Sequence, residues 1–461
     1  MGLQKLLLRV KGKIMKKNIY IPIEIKNREL FGHLLLADEA LKKDYRVILG
    51  NKSLIYQIIL GKKDKGGFLL YKGGGRSPAL ISSLSKKVDS IGILDQELGI
   101  AVRNLEDFFS RRYDPSIIKY VDSFYLLGEK FFDAAIEYSE IQKNKLYVTG
   151  WPRVDMWRNK SLWSEQANHL KKKYGRYVLF SSDFGTNSLF EVEERAKRAT
   201  KWTHRKEKSF YEKEYKINEV RYNEFLKMVD YLKQISSLDN TPHIIVRPHY
   251  SENFDAWHKA LNGIKNITVI NEGSISAWLL ASEGLLHSGC STAFEAQLMN
   301  VKTAYFIDSA QSAIGSYPIT ISECLKNTTD YLRWTKKTVN EEGYPIDKYA
   351  VDLGRISSAK KILNNIELQK INSEPTPKKP HISIYIKVGR LMPVFLKDFY
   401  SRLRFTIKNP GLKPLADYKQ KMNGGITAEE CKIFMKKHNL NLNDVSFNKL
   451  EKDLIVIEKS S

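Results

Sequence analysis

Short apolar runs alternate with helical stretches through the first part of this chain. Asn18 to Ile25 is apolar with one polar break, and Tyr45 to Leu49, Phe68 to Tyr71 and Ser90 to Leu94 are shorter runs of the same kind. Helices are predicted between them over Leu34 to Lys42, Leu54 to Leu60 and Ala79 to Lys86. Phe124 to Leu127 and Leu146 to Thr149 add two more strands. Such β-rich runs, spaced by helical segments, predict a parallel sheet with helices on its faces.

The pattern pauses over a charged helical stretch, Ser161 to Tyr174, and then restarts. Tyr177 to Ser181, His243 to Arg247, Ile267 to Ile270, Gly284 to His287 and Lys302 to Ile307 predict a second parallel sheet. Val220 to Ser236 reads as an amphipathic helix, and Ser357 to Ile366 as a helix closing this unit. Residues 186–217 are densely charged and read as an insertion or lid. A Pro- and Lys-rich linker, Ser373 to Pro380, opens a tail. The expected architecture is α/β, with two doubly wound Rossmann-like domains (18–160 and 161–370) facing a cleft. A basic segment (1–17) precedes them and a basic, aromatic tail (371–461) follows.

A chain of 461 residues exceeds what one core usually supports, in keeping with two domains. Cys290, Cys324 and Cys431 lie far apart, which disfavours a structural zinc site and a disulfide framework. The formal charge of +23 changes the picture, because it calls for an acidic partner. Lys5, Arg9, Lys11, Lys13, Lys16 and Lys17 carry part of it with no acid among them. Residues 371–422 carry more, interleaved with Tyr385, Leu391, Met392, Phe395, Phe399, Tyr400 and Phe405. This mixture suits the anionic face of a membrane and equally a solvated surface. No known nucleic-acid motif accompanies the charge, so no nucleic-acid partner is expected. No apolar run reaches the ~20 residues of a membrane span. Met1 to Val10 lacks a small-residue cleavage site. A cytoplasmic protein is expected, with attachment to the inner face of the membrane left open.

The strand ends carry the candidate chemistry, because ligands of such sheets bind outside the carboxyl ends of the strands. His287-Ser288-Gly289-Cys290-Ser291-Thr292 joins a buried strand to a helix. Its small residues and hydroxyls suit a phosphate, although Ser and Thr are also ordinary caps and His287 equally fits a packed core. Glu295, one turn on, fits ribose hydroxyls or an acid complementing the helix dipole. Arg247-Pro248-His249 ends another strand, with His249 placed to bind a phosphate or protonate a leaving one. Glu272, Gly273 and Ser274 end the next, as nucleotide contacts or as a turn and cap. Asp95 and Glu97 fit a catalytic base or nucleophile, or a pairing with Arg103, Arg111 or Arg112. Lys72, Gly73 to Gly75, Arg76 and Ser77 resemble a phosphate loop without P-loop spacing, or form a flexible turn. Glu24, Lys26 and Arg28 after the first strand, Lys72 and Arg76, and Asp183 in the second domain are candidate acceptor or donor-sugar contacts.

Taken in order, NIYIPIEIKNRE (18–29), ILDQELG (93–99), VTGWPRVD (148–155), Arg247-Pro248-His249 and HSGCSTAFEA (287–296) resemble the bacterial surface carbohydrate biosynthesis proteins. The resemblance runs over about residues 18–370. That family is similar to GT-B glycosyltransferases and, more distantly, to enzymes that transfer Kdo or sialic acid from CMP-sugars. The resemblance implies a GT-B fold and transfer of Kdo or a nonulosonic acid from a CMP-sugar to a lipid-linked or polysaccharide acceptor. No cofactor is expected, and no metal if histidine, arginine and helix N–H groups neutralise the phosphate. In the CMP-sugar enzymes a His-Pro pair and a Ser-Ser/Thr pair bind CMP, and an Asp/Glu-Gly motif supplies the catalytic carboxylate. His249 matches the histidine, with Tyr250 in place of the proline. Ser291 and Thr292 match the hydroxyl pair, and Asp95 or Glu97 matches the acid. Two other readings stay open. One is a CDP-glycerol or CDP-ribitol polyol-phosphate transferase, and the other a non-catalytic, membrane-associated glycan-binding scaffold.

Overall fold

The computed structural model describes residues 9–10, 13–73, 78–97, 105–203, 207–338, 350, 356–378, 422, 424–438, 440 and 442–460. β1 (Lys13–Ile23) runs through the middle of a ten-stranded sheet. β2 (Arg46–Asn51) lies parallel to it on one side. β3 (Phe68–Tyr71), β4 (Ser90–Ile93), β5 (Ser123–Leu126) and β6 (Leu146–Val148) follow in parallel on the other. β3, β4 and β5 are buried throughout, as short apolar runs covered on both faces require. α1 (Lys26–Lys42) leaves the end of β1, and α2 (Pro152–Arg158) follows β6. Pro152 opens α2 at a position where its missing N–H costs nothing. The two helices meet at Gly32, where an added Cβ would lie 3.0 Å from the Arg153 backbone nitrogen.

α3 (Ser164–Tyr174) leads to a second, wholly parallel sheet of six strands. Its strands are β7 (Tyr177–Ser181), β8 (His243–Arg247), β9 (Ile267–Val269), β10 (Leu285–His287), β11 (Thr303–Phe306) and β12 (Glu323–Leu325). They lie in the order β9-β8-β7-β10-β11-β12, the Rossmann order, so the strand order reverses between β7 and β10. Leu285 sits between Leu179 and Thr303 in register. The charged stretch read as a lid forms α4 (Leu189–Thr203) and the start of α5 (Lys208–Ser236), packed against each other. α5 is anchored, because Phe225, Met228, Leu232 and Ile235 enter the core of this domain. α6 (Ile275–Ala281) and α7 (Thr292–Leu298) start at the ends of β9 and β10.

Two boundary expectations need correction. The helix expected to close the second domain, α8 (Ser358–Glu367), packs on the first instead. Ala359, Ile362, Leu363 and Ile366 join the first core, and Asp155 accepts both the N–H and the hydroxyl of Ser358 at 2.7 and 2.8 Å. The chain therefore returns to the first domain before residue 370. The stretch read as a tail also completes that domain. β13 (Ser373–Pro375) pairs antiparallel with residues 15–17 of β1, so the basic N-terminal segment contributes to the sheet. α9 (Ala428–Lys437) packs on α1 through a stack of Phe31 on Phe434. β14 (Val445–Glu451) and β15 (Leu454–Lys459) form a hairpin whose second strand adds antiparallel to β2. Among the described residues no helix is long and apolar enough to cross a membrane.

Candidate functional site

The carboxyl ends of both sheets open onto one cleft of about 1200 Å³, the water at its mouth included. Arg28 and Phe31 of α1 and Arg153, Met156 and Trp157 of α2 line it from the first domain. Ser181, Arg247, His249, Tyr250, Gly273, Ser274, Ser276, Ser291, Thr292 and Glu295 line it from the second.

Arg153 and Arg247 set its electrostatics. They are 7% and 5% exposed. Arg247 donates to the carbonyls of Glu272 and Gly273 and to Asn271 Oδ1, at 2.5, 3.2 and 3.1 Å, and lies over the Trp278 ring. Arg153 donates to the Gln96 carbonyl at 3.3 Å and stacks on Trp157, while its buried Nε has no partner. Among the described residues neither guanidinium has a carboxylate within ion-pair distance. Burial lowers both to about 10, helped at Arg153 by Arg28. Buried charges are ordinarily paired, because desolvation costs several kcal/mol for each. Two cations without an ionic partner therefore face one cleft.

Glu295 feels both of these arginines. Burial pushes its carboxyl up to about 7, against the pull of the Ser276 hydroxyl that donates to it and of Arg153 and Arg247. The Thr292 hydroxyl lies 3.3 Å from that of Ser181, at the reversal of strand order. His249 Nδ1 accepts from the Ser251 N–H at 3.3 Å and lies 2.7 Å from its hydroxyl. That leaves the proton of the neutral ring on Nε2. Burial lowers this imidazole to about 4, so the neutral form prevails near pH 7. Glu252 holds the loop from beneath, accepting from Ser182, the Gly185 N–H and Trp257 at 2.6, 3.1 and 2.8 Å.

No protein-family model and no curated protein matches this chain. Solved structures that it resembles include UDP-GlcNAc 2-epimerase from Methanocaldococcus jannaschii, at 13% identity over 76% of this chain and 99% of that one, TM-score 0.46. Another is S. aureus MnaA with UDP, at 13% identity over 77% and 96% of the two chains, TM-score 0.44. The wall teichoic acid polymerase TagF aligns at 11% identity over 70% and 80%, TM-score 0.40. Likenesses this distant transfer no residue role; the two-domain arrangement rests on the strand order and the shared cleft.

The polar strand ends of the first domain are largely committed to one another. Glu24 pairs with Lys72 and Lys52 at 2.7 and 2.9 Å, and Lys72 also lies 3.3 Å from Glu29. Burial would raise Glu24, but the two lysines outweigh it and hold it well below the carboxylate range. Arg28 bonds Glu29 and Glu97 at 3.0 and 2.9 Å. Burial likewise acts upward on Glu97, yet Arg28, Lys72 and Arg112 keep it at about 2. Lys26 is bound to Glu430 of α9 at 2.8 Å and does not line the cleft. Arg76 and Arg103 lie outside the described residues.

Neither Asp95 nor Glu97 lines the cleft; both border a separate small cavity. Both oxygens of Asp95 accept from Arg112, one also from the Tyr113 hydroxyl at 2.8 Å and the other from the Glu97 N–H at 3.0 Å. This is the structural pairing that the sequence left open. Of the two acids, Glu97 is the one whose charge reaches His249, Tyr250 and Asp183. His287 is fully buried, held by the Gly289 N–H at 3.0 Å and Ser322 at 2.8 Å, and lowered by burial to about 3. It shapes the turn and makes no part of the cleft wall. Ser288 accepts the Asp183 N–H at 2.8 Å. Gly289, at φ +92, packs so tightly against Ala313 that no side chain fits. Glu272 takes part through its carbonyl, which holds Arg247 and Trp278.

Sequence reasoning passed over Arg153 and Ser276. Arg153 had a signal, since Gly150-Trp151-Pro152-Arg153 puts a cation in the first turn of a helix after a strand, where an anion is better placed. Asp183 lies open to solvent yet ringed by protein. Desolvation raises its carboxyl to about 6, against Arg221 and with a further push from Glu97.

Proposed function

We propose that this protein is a nucleotide-sugar-dependent glycosyltransferase of bacterial surface polysaccharide assembly, using a CMP-activated acidic sugar such as Kdo or a nonulosonic acid. The observation that carries the proposal is the pair of buried, carboxylate-free guanidiniums, Arg153 and Arg247, on opposite sides of one cleft. A phosphate between them supplies the missing counter-charge, and the same fixed cations stabilise the phosphate as it leaves. In this reading no metal is required for that step. Ser291 and Thr292 add hydroxyls, and Glu295 meets the ribose.

Of the two parts open to His249, binding a phosphate is favoured over protonating one. Its Nδ1 lone pair is occupied and the ring is neutral, so Nε2–H donates a hydrogen bond to the phosphate. A histidine base, which a polyol-phosphate transferase would use, needs that lone pair free. Glu97 and Asp183 divide the remaining work, their titrations being pushed apart to about 2 and about 6. Glu97 stays ionised and stabilises positive charge developing on the sugar. Asp183 accepts the proton of the acceptor hydroxyl.

A thermal-shift series with CMP, CDP, UDP, GDP and ADP tests the reading. At a hundredfold excess over Kd, a ligand of the folded state adds about 2.7 kcal/mol. CMP is expected to give the shift, and Arg247→Met to remove it. A preference for CDP, UDP or GDP would replace the donor, and silence from all five would remove the enzyme reading.

A further inference from the structure

A second groove opens beside the cleft and shares Phe31 and Trp163 with it. Leu162 and Trp163 line one side, Ile433 and Phe434 of α9 the other, and Phe31 stacks on Phe434 with ring centroids 4.4 Å apart. Ile433 is 57% exposed at this rim. Two of the charged groups beside it are engaged, Glu430 with Lys26 at 2.8 Å and Lys437 with Glu165, while Gln166, Thr427, Glu429 and His438 add a polar rim. The facing apolar surfaces of Phe31, Leu162, Trp163, Ile433 and Phe434 suit a hydrocarbon.

We propose that this groove holds the hydrocarbon chain of a lipid-linked acceptor, an inference that rests on the neighbouring cleft being the nucleotide-sugar site. Continuity between the two carries the choice of occupant. A lipid phosphate has its charge at one end and its chain at the other, and here a cation-lined cleft runs into an apolar groove. The sequence preceding α9 is of matching character. Lys387, Arg390, Lys397, Arg402 and Arg404 alternate there with Phe395, Phe399, Tyr400 and Phe405, the composition of segments that meet anionic lipid.

The test uses the full chain with two probes, CMP and a fluorescent undecyl phosphate kept below its micelle concentration. Wild-type protein is expected to bind undecyl phosphate saturably. Ile433→Glu and, on the opposite wall, Leu162→Glu are each expected to weaken that binding at least tenfold while CMP titrations stay unchanged. Each buried methylene contributes about fourfold in affinity, so displacing a few suffices. Absence of saturable binding, or equal affinity in both variants, overturns the proposal. Binding only to anionic vesicles, unaltered by either substitution, assigns the contact to a membrane surface and also overturns it. A dimer abolished by Ile433→Glu, in protein that takes up no probe, does the same. Failure of CMP to bind counts against the nucleotide reading alone, and the undecyl phosphate titration then still decides the groove.

Discussion

Ser182 donates its hydroxyl to Glu252 at 2.6 Å and with the same oxygen accepts the His249 N–H at 3.0 Å. One buried hydroxyl thus fixes the loop that carries the histidine. Ser182→Ala removes both bonds; Glu252 keeps Trp257 as a donor, but the His249 N–H loses its acceptor, at a cost of about 1–3 kcal/mol. Nucleotide affinity is expected to fall with it. Calorimetry beside urea denaturation checks this, and unchanged CMP affinity in a destabilised variant would show that the loop does not depend on Ser182.

Replacing Arg153 or Arg247 with Met is expected to separate stability from function. Each change removes a desolvated charge that has no ionic partner, so the ligand-free variant melts at or above the wild-type temperature. The nucleotide-induced shift disappears. A variant that melts lower and still responds to CMP refutes the anion-site assignment.

Asp95 and Glu97 are expected to fail in different ways. Asp95→Asn breaks a buried ion pair with Arg112, at a cost of about 3–5 kcal/mol, and loses activity through loss of fold. Glu97→Gln is expected to retain the fold and CMP binding and to lose transfer. Matching melting curves for the two variants would contradict this division.

The long-range reading of the fold was legible because buried parallel strands are short apolar runs with marked ends. Phe68–Tyr71, Tyr177–Ser181 and His243–Arg247 lie where those runs place them. The β14–β15 hairpin was less visible. Its Leu454-Ile455-Val456-Ile457 run follows a long basic stretch, and nothing local says that it pairs with β2. α8 shows the same limit, since its apolar face fits either core and the Asp155 cap that fixes the choice is distant in sequence. At the site, residue types at strand ends were readable, but partners were not. Asp95 and Glu97 look alike until Arg112 and Tyr113 are placed against the one and Arg28 against the other.

Two opposed pH effects are expected. His249 and His287 fold with values lowered to about 4 and about 3, so the unfolded chain takes up their protons first as pH falls below about 6.5. Their stabilising contribution is complete above that pH, and about 2 kcal/mol from each is lost by about pH 5. Glu295 runs the other way. Its value is raised to about 7, so the folded state keeps a proton that the unfolded chain releases near pH 4.5. Its contribution therefore declines as pH rises from about 4.5 to 7, by about 3 kcal/mol in all. Denaturation of wild type and Glu295→Gln across this range isolates the carboxyl, and a pH-independent difference would mean that Glu295 is ordinary.

Transfer itself is expected to fall below about pH 6 as Asp183 becomes protonated. Asp183→Asn should abolish turnover with CMP binding intact. A flat rate profile from pH 5 to 8 in wild type would exclude Asp183 as the proton acceptor.

The pairing of β15 with β2 has a consequence for how this chain is made. All six strands of the second sheet lie in one stretch, 177–325, and are available together once that stretch has left the ribosome. The first sheet draws on residues 13–23 and on residues 454–459, so its outer edge stays unpaired until residue 459 has been synthesised. During that interval β2 presents an open edge to other nascent chains. Translation that stops short of the hairpin leaves a completed second sheet attached to a first sheet with an adhesive border.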